Sequence, residues 1–327
     1  MGKCSCGELL IISRENSDGI RFKDKSTHMM INEEASVVVS HLQEGSLAVP
    51  HPILPQEPTI KIRPASASVL SNLREVWTHR ELLYFLIWRD LKVRYKQTSL
   101  GAAWVILQPL LMALVFAVFI GKLARVTSDG VPYAVFAYAG LLPWLFFSNS
   151  VASGSHSLVA NNYVVTKVYF PRLILPIAVV GVRLVDFLVA FSVLVCLMFY
   201  YGMHVTWSVF MLPVFIVQIV LLALGIGVWF AALNAGYRDV GAVLPVALQL
   251  WMFISPIIYP ASMVPPNWRL LYAFNPVSGI VEGVRASLFG LPFNWTSIAI
   301  SAVITLATLI YFVHYFCRKQ DSLIDVL

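Results

Sequence analysis

Beyond residue 100 the chain is built from long apolar runs separated by short polar breaks. An apolar run of about 20 residues is long enough to cross the hydrocarbon core as a helix. Residues 100–121, 131–153, 173–201, 207–235, 241–259 and 296–316 meet that length, so the pattern predicts six spans. Gln108-Pro109 predicts a kink in the first of them. Residues 260–295 break the rhythm. Pro260, Pro265, Pro266, Pro276 and Pro292 divide them into apolar pieces too short to span, which suits a re-entrant or interfacial hairpin.

Ahead of the first span the period changes. Tyr84, Ile87, Trp88, Leu91 and Tyr95 recur at helical spacing, while Arg89, Lys92 and Lys96 fall on another face. Asp90 and Arg94 stand at i,i+4 in the favourable order for an ion pair. A basic helix with aromatic and leucine residues on its other side lies in the membrane interface. This interfacial region runs over 71–97, as one helix or two short ones. Residues 1–70 are polar and carry Pro50, Pro52, Pro55, Pro58 and Pro64. They read as a disordered cytoplasmic tail. A small recognition module, or translation from a start upstream of the true one, stays open beside that reading.

Composition turns the pattern into a class. The chain is 58% hydrophobic and 12% charged, with mean hydropathy +0.76, against about 25% charged in a soluble domain. The fold class is therefore an all-α integral membrane protein. Residues 1–96 hold 13 of the 23 basic and 11 of the 17 acidic side chains. Basic residues flank the first span (Arg89, Lys92, Arg94, Lys96) and follow span two (Lys167, Arg172), span four (Arg238) and span six (Arg318, Lys319). The positive-inside rule then puts both termini in the cytoplasm, and the expected location is the inner (plasma) membrane. No cleavable signal peptide is expected, because Leu9 to Ile12 is too short for its apolar core.

Candidate chemistry is sparse. Cys4 and Cys6 lack a second pair, Cys196 and Cys317 stand alone, and the seven histidines are scattered, so no metal site is expected. No phosphate-cradling G-x-x-x-x-G-K-[ST] occurs, and no nucleophile-base arrangement stands out. The expectation is a protein that is not an enzyme, holds no cofactor and has no nucleic-acid partner. Any energised work draws on a separate subunit.

Four groups of residues invite function. Arg183 and Asp186 form an i,i+3 pair inside the third span, either a gate or a neutralised pair joining helices. Aromatic residues crowd the spans: Trp104, Trp144, Phe146, Phe147, Trp229, Trp251, Phe253 and Tyr259. They are interfacial anchors or, in part, the wall of a conduit past which sugar rings slide. Trp104 and Gln108 share one face of span one; Gln249 and Phe253 share one face of span five. The loop 161–172, with Asn161, Tyr163, Lys167, Phe170 and Arg172, is the cytoplasmic loop long enough to dock into a partner. Gly279 and Gly283 form G-x-x-x-G, with Glu282 and Arg285 beside it at i,i+3.

Three stretches in order carry a family resemblance. The first is Trp88-Arg89-Asp90-Leu91-Lys92-Val93-Arg94-Tyr95-Lys96, continuing through Leu100-Gly101, Trp104 and Gln108-Pro109. The second is Tyr237-Arg238-Asp239-Val240, then Leu248-Gln249-Leu250 and Ser255-Pro256-Ile257-Ile258-Tyr259. The third is Asn275-Pro276 with Arg285 downstream. Together they resemble the type-2 ABC exporter permeases, in particular those moving O-antigen, capsule and teichoic-acid polymers. The resemblance covers roughly residues 70–327. A drug or lipid exporter of the same superfamily is the alternative.

The resemblance implies a homodimer of six-span subunits, each paired with a separate ATPase that binds ATP and Mg. It implies that 161–172 is the ATPase-coupling helix and that the region with Trp88, Arg89, Asp90, Lys92 and Arg94 is the interface helix. It implies gate helices within 260–295, with Glu282 and Arg285 in the gate region. It also implies a conduit for glycan or glycolipid between subunits, lined by spans one and five: Trp104, Gln108, Gln249, Phe253 and Tyr259.

Overall fold

All regular secondary structure among the described residues is helical. A computed structural model describes residues 69–96, 103–126, 128, 130–167, 170–204 and 206–320. The expected tail lies outside the described residues up to position 68, as do Val168 and Tyr169 of the coupling loop.

The interfacial region is two helices, α1 (Val69–Thr78) and α2 (Arg80–Lys96), meeting at His79. The first span is α3 (Ala103–Phe116), which runs through Pro109 and widens into a π-helical stretch, Ala117–Leu123. The second span is α4 (Tyr133–Ser155). Two short helices, α5 (Ser157–Ala160) and α6 (Asn162–Lys167), form the loop before the third span, α7 (Ile174–Tyr200). A 3-10 turn at Trp207–Met211 leads into the fourth span, α8 (Leu212–Gly236). Then come α9 (Val240–Ile254), a broken segment containing α10 (Arg269–Ala273), the buried helix α11 (Pro276–Phe289), and the last span, α12 (Trp295–Lys319).

Burial ranks the spans. In α4, 78% of the spanning window is buried, against 11% in the first span, so α4 is the hub and α3 a perimeter helix. Helices α7, α8 and α11 pack around α4, and α12 packs along α8 and α11. The main core joins Phe136, Tyr138, Leu141 and Phe147 of α4 to Leu194, Ile219, Leu222 and Ile280. A second cluster gathers Leu86 of α2, Leu158, Phe170, Ile174, Ala231 and Phe316. In lipid, helices associate through close packing and polar contacts rather than the hydrophobic effect. The G-x-x-x-G pair serves that packing. A Cβ on Gly279 would lie 2.6 Å from Ser301, and one on Gly283 would lie 2.2 Å from Phe215. Gln218 of α8 donates to Ser301 of α12 at 2.9 Å.

Among the described residues, five helices are long and apolar enough to span. The expected fifth span, 241–259, is shorter as a helix: α9 ends at Ile254. At 15 residues it rises about 22 Å, short of the roughly 30 Å of hydrocarbon. Pro256 explains the stop. It has no N–H to donate and biases the preceding residue toward extended geometry; Ser255 sits at φ −93°, ψ 152°.

Candidate functional site

The charged end of the interface helix α2 reaches the third span. Asp186 of α7 accepts from the Tyr95 hydroxyl at 2.9 Å and from the Arg94 guanidinium. Arg183 stands 3.5 Å from the same carboxylate and donates to Ser153 of α4. The expected pair inside the third span is thus a three-charge cluster that fastens α2 to α7 and α4. Burial first, and then the bond to Asp186, push the Tyr95 phenol up to about 12. The expected Asp90–Arg94 pair is not what forms. Asp90 accepts from its neighbour Arg89 at 2.8 Å, leaving Arg94 to Asp186. A helix surface pair gains only a few tenths of a kcal/mol, and a carboxylate held between helices is the stronger acceptor.

The apolar face of α2 is also displaced from its expected line. Leu82, Leu83, Leu86 and Ile87 pack on the second core, whereas Tyr84, Phe85 and Trp88 are exposed. Lys92 lies over the Trp88 ring at 5.3 Å. An exposed aromatic and basic edge of this kind suits headgroup depth.

Trp104 and Gln108 of α3 open onto the ion cluster. With Arg94, Asn149, Arg183 and Asp186 they line a cavity of about 240 Å³. The other half of the expected conduit lies apart. Gln249 and Phe253 are exposed on α9, which packs on α4 and α8, while α3 packs on α4 and α7. Tyr259 faces the broken segment, accepting from Tyr272 at 3.0 Å. Trp144, Phe146 and Phe147 are buried, and Trp144 and Phe147 meet Trp251 edge-on, so these rings are core.

The loop expected to couple divides into anchors and a presented edge. Asn161 donates to Ser157 O at 2.9 Å and accepts from Arg89 at 3.4 Å, tying the loop to α2. Arg172 donates to Gln320 O at the end of α12. Phe170, expected on the docking surface, is buried in the second core at 7% exposure, because the chain turns inward there to begin α7. Tyr163 is 72% exposed, and Lys167 sits over its ring at 4.6 Å. These two form the presented edge.

In the expected gate region Arg285 does not pair with Glu282. Its guanidinium donates to Pro256 O at 2.6 Å, Ile257 O at 2.7 Å and Phe136 O at 3.2 Å, and lies 3.7 Å over the Phe136 ring. Tyr133 donates to Ile258 O at 2.6 Å. Non-helical backbone at membrane depth is tolerated only where protein or water satisfies it, and these donors do that for 256–258. Asn275 closes the same corner. It caps α11 by accepting from Val277 N at 3.1 Å, accepts from the Trp251 indole at 3.1 Å, and donates to Ser255 at 2.8 Å. Pro276 then takes the first helical position, where no N–H is needed. Glu282 has no hydrogen bond or ion pair among the described residues. Burial raises its carboxyl pKa, with the Arg285 charge opposing.

The sequence profile of the ABC-2 type transporters matches residues 81–289, from the interface helix to the end of α11. The chain belongs to the ABC-2 type transporter family. Among relatives of this ABC-2 transporter, an O-antigen export system permease protein RfbA of Myxococcus xanthus is 32% identical over 219 residues, 66% of this chain and 84% of that protein. A Klebsiella pneumoniae protein of the same name is 30% identical over 221 residues, 67% of this chain and 85% of its own. The polysialic acid transport protein KpsM of Escherichia coli is 24% identical over 254 residues, 73% of this chain and 93% of its own.

Two features of this ABC-2 transporter escaped the sequence. The bond from Arg94 to Asp186 joins residues 92 positions apart, and no local pattern encodes it. The carbonyl-binding role of Arg285 was also hidden, though one signal was present: an arginine in an apolar helix downstream of Ser255-Pro256 needs acceptors, and a proline-broken helix exposes them.

Proposed function

We propose that this chain is the membrane-spanning permease subunit of an ATP-driven ABC exporter that moves a polysaccharide or lipid-linked glycan across the inner membrane. The observation that carries the reading is the match, over most of their own length, to permeases named for O-antigen export and polysialic acid transport. The energy comes from a separate ATPase subunit, which meets Tyr163 and Lys167 on the cytoplasmic side; both termini lie on that side. The working unit is a homodimer. The exposed faces of α3 and α9 carry Gln108 and Gln249 among apolar residues, and an amide has no partner in hydrocarbon. Those faces therefore meet the second subunit and the glycan path rather than lipid.

Deleting the gene and assaying surface glycan tests the reading. Surface polymer should vanish, accumulate inside, and return with the gene on a plasmid. An unchanged glycan surface together with loss of a drug or lipid efflux activity would move the chain to another branch of the family. Co-purification with a Walker-motif ATPase tests the division of labour.

A further inference from the structure

The cavity beneath the gate segment is used neither by the coupling edge nor by the exposed faces of α3 and α9. Its volume is about 680 Å³, and α11, the 260–273 segment and the start of α12 enclose it. Small-molecule sites run from roughly 300 to 1,000 Å³ and combine apolar walls with a few convergent polar groups. Here the polar groups include Glu282, Arg269, Tyr272, Asn294 and Thr296, with Arg285 and two serines, and Pro292 lies among the apolar ones.

Glu282 is the feature to explain. It is half-buried, lines the cavity and has no bonded partner among the described residues. The basic side chain one turn away, Arg285, is engaged with three carbonyls. A carboxyl group withdrawn from bulk water is stabilised only by a hydrogen-bonding partner. The lining narrows the chemistry of that partner. One carboxylate is too few for a calcium site, which takes six to eight oxygen ligands. Of the two arginines in the lining, Arg285 is engaged with the carbonyls and Arg269 is opposed by Glu282, which does not suit a polyphosphate. Hydroxyl and amide groups beside proline and aliphatic surface suit a molecule with a hydroxylated edge and a C–H face. A pyranose ring has both.

We propose that this cavity is a sugar-binding site at the gate, where Glu282 accepts hydrogen bonds from the hydroxyls of a pyranose unit. The inference rests on the glycan-export reading and adds a place within one subunit where the polymer is held.

Saturation-transfer NMR on the full chain in lipid nanodiscs tests it, with a panel of methyl pyranosides and N-acetylglucosamine as probes. At least one sugar should receive saturation from the parent protein. Glu282→Leu should raise its Kd about tenfold or more, the scale of one charge-assisted hydrogen bond. Thr296→Trp fills the rim from an exposed position and should abolish the signal while leaving Glu282 in place. A chromatographic profile and melting temperature matching the parent qualify each variant as folded, and one qualified variant suffices for the comparison. Three results overturn the proposal: no sugar of the panel binds, sugars bind folded variants as they bind the parent, or glycerophosphoethanolamine binds there and the sugars do not. Surface glycan lost on gene deletion, with no sugar bound at the cavity, removes this inference and leaves the export reading standing. Surface glycan retained on deletion removes the export reading, whatever the NMR shows.

Discussion

Replacing Arg285 by methionine takes the donors away from the broken end of α9 while keeping an unbranched side chain in the space. The bonds lost are those to Pro256 O at 2.6 Å, Ile257 O at 2.7 Å and Phe136 O at 3.2 Å. A buried carbonyl left without a donor costs about 1–3 kcal/mol, so the two short bonds set a scale of about 2–6 kcal/mol. The guanidinium over the Phe136 ring contributes about 2 kcal/mol more in a desolvated setting. Removing a buried cation recovers part of its desolvation penalty and pulls the total down. The expected net loss is about 2–4 kcal/mol, or a fall of about 3–6 °C in Tm for a chain of this size. Melting detergent-solubilised protein and following the folded peak by fluorescence-detected chromatography measures it. Arg285→Lys keeps the charge but not the fork, and should fall between parent and methionine. If Arg285→Met melts with the parent, the carbonyls of 256–258 are satisfied some other way and the argument fails.

Three further outcomes follow from the geometry. Tyr163→Ala and Lys167→Glu should each reduce glycan export and weaken ATPase co-purification at parental protein levels, whereas Phe170→Asp buries a carboxylate and should lower the amount of folded protein instead; normal export by both edge variants would reassign the loop. Asp186→Asn leaves Arg94 and Arg183 facing each other and should cost about 1–3 kcal/mol, below the range for a fully buried pair because Arg94 is one-third exposed; adding Arg183→Met should restore part of the lost Tm, and no restoration would mean that the two charges do not interact. Trp104→Ala combined with Phe253→Ala should reduce polymer export or leak small solutes without loss of assembly, and parental export with no leak would return both rings to the role of anchors.

Much of the fold is legible in the sequence because hydrocarbon imposes a length and a polarity on each span. The apolar runs at 131–153, 173–201 and 296–316 begin within about two residues of α4, α7 and α12. The proline content of 260–295 announces a segment without long helices. What pattern cannot supply is which neighbour a polar residue chooses. Asp90 and Arg94 have the right spacing for each other, yet Arg94 goes to Asp186, because that acceptor lies between helices where a charge-assisted bond is worth more. Phe170 shows the same limit for an apolar side chain. Its position in a polar loop suggests display, but the loop folds back and the ring fills the second core. The site is therefore less legible than the fold: spacing identifies its residues, and tertiary contacts decide which of them face outward.

Helix α2 gives these separate places a mechanical connection. Arg89 bonds Asn161 in the coupling loop at 3.4 Å, and Arg94, a little over one turn later, bonds Asp186 of α7. Leu86 and Ile87, which pack on the second core, precede both and keep the helix seated. The 161–172 loop, α2, α7 and the cavity where Trp104 and Gln108 meet the ion cluster are thus joined by one run of polar contacts. The hydrogen bond at Asn161 is long, whereas Asp186 takes two bonds from α2 and a third charge from Arg183. The polar hold on α2 is thus stronger at the third span than at the 161–172 loop.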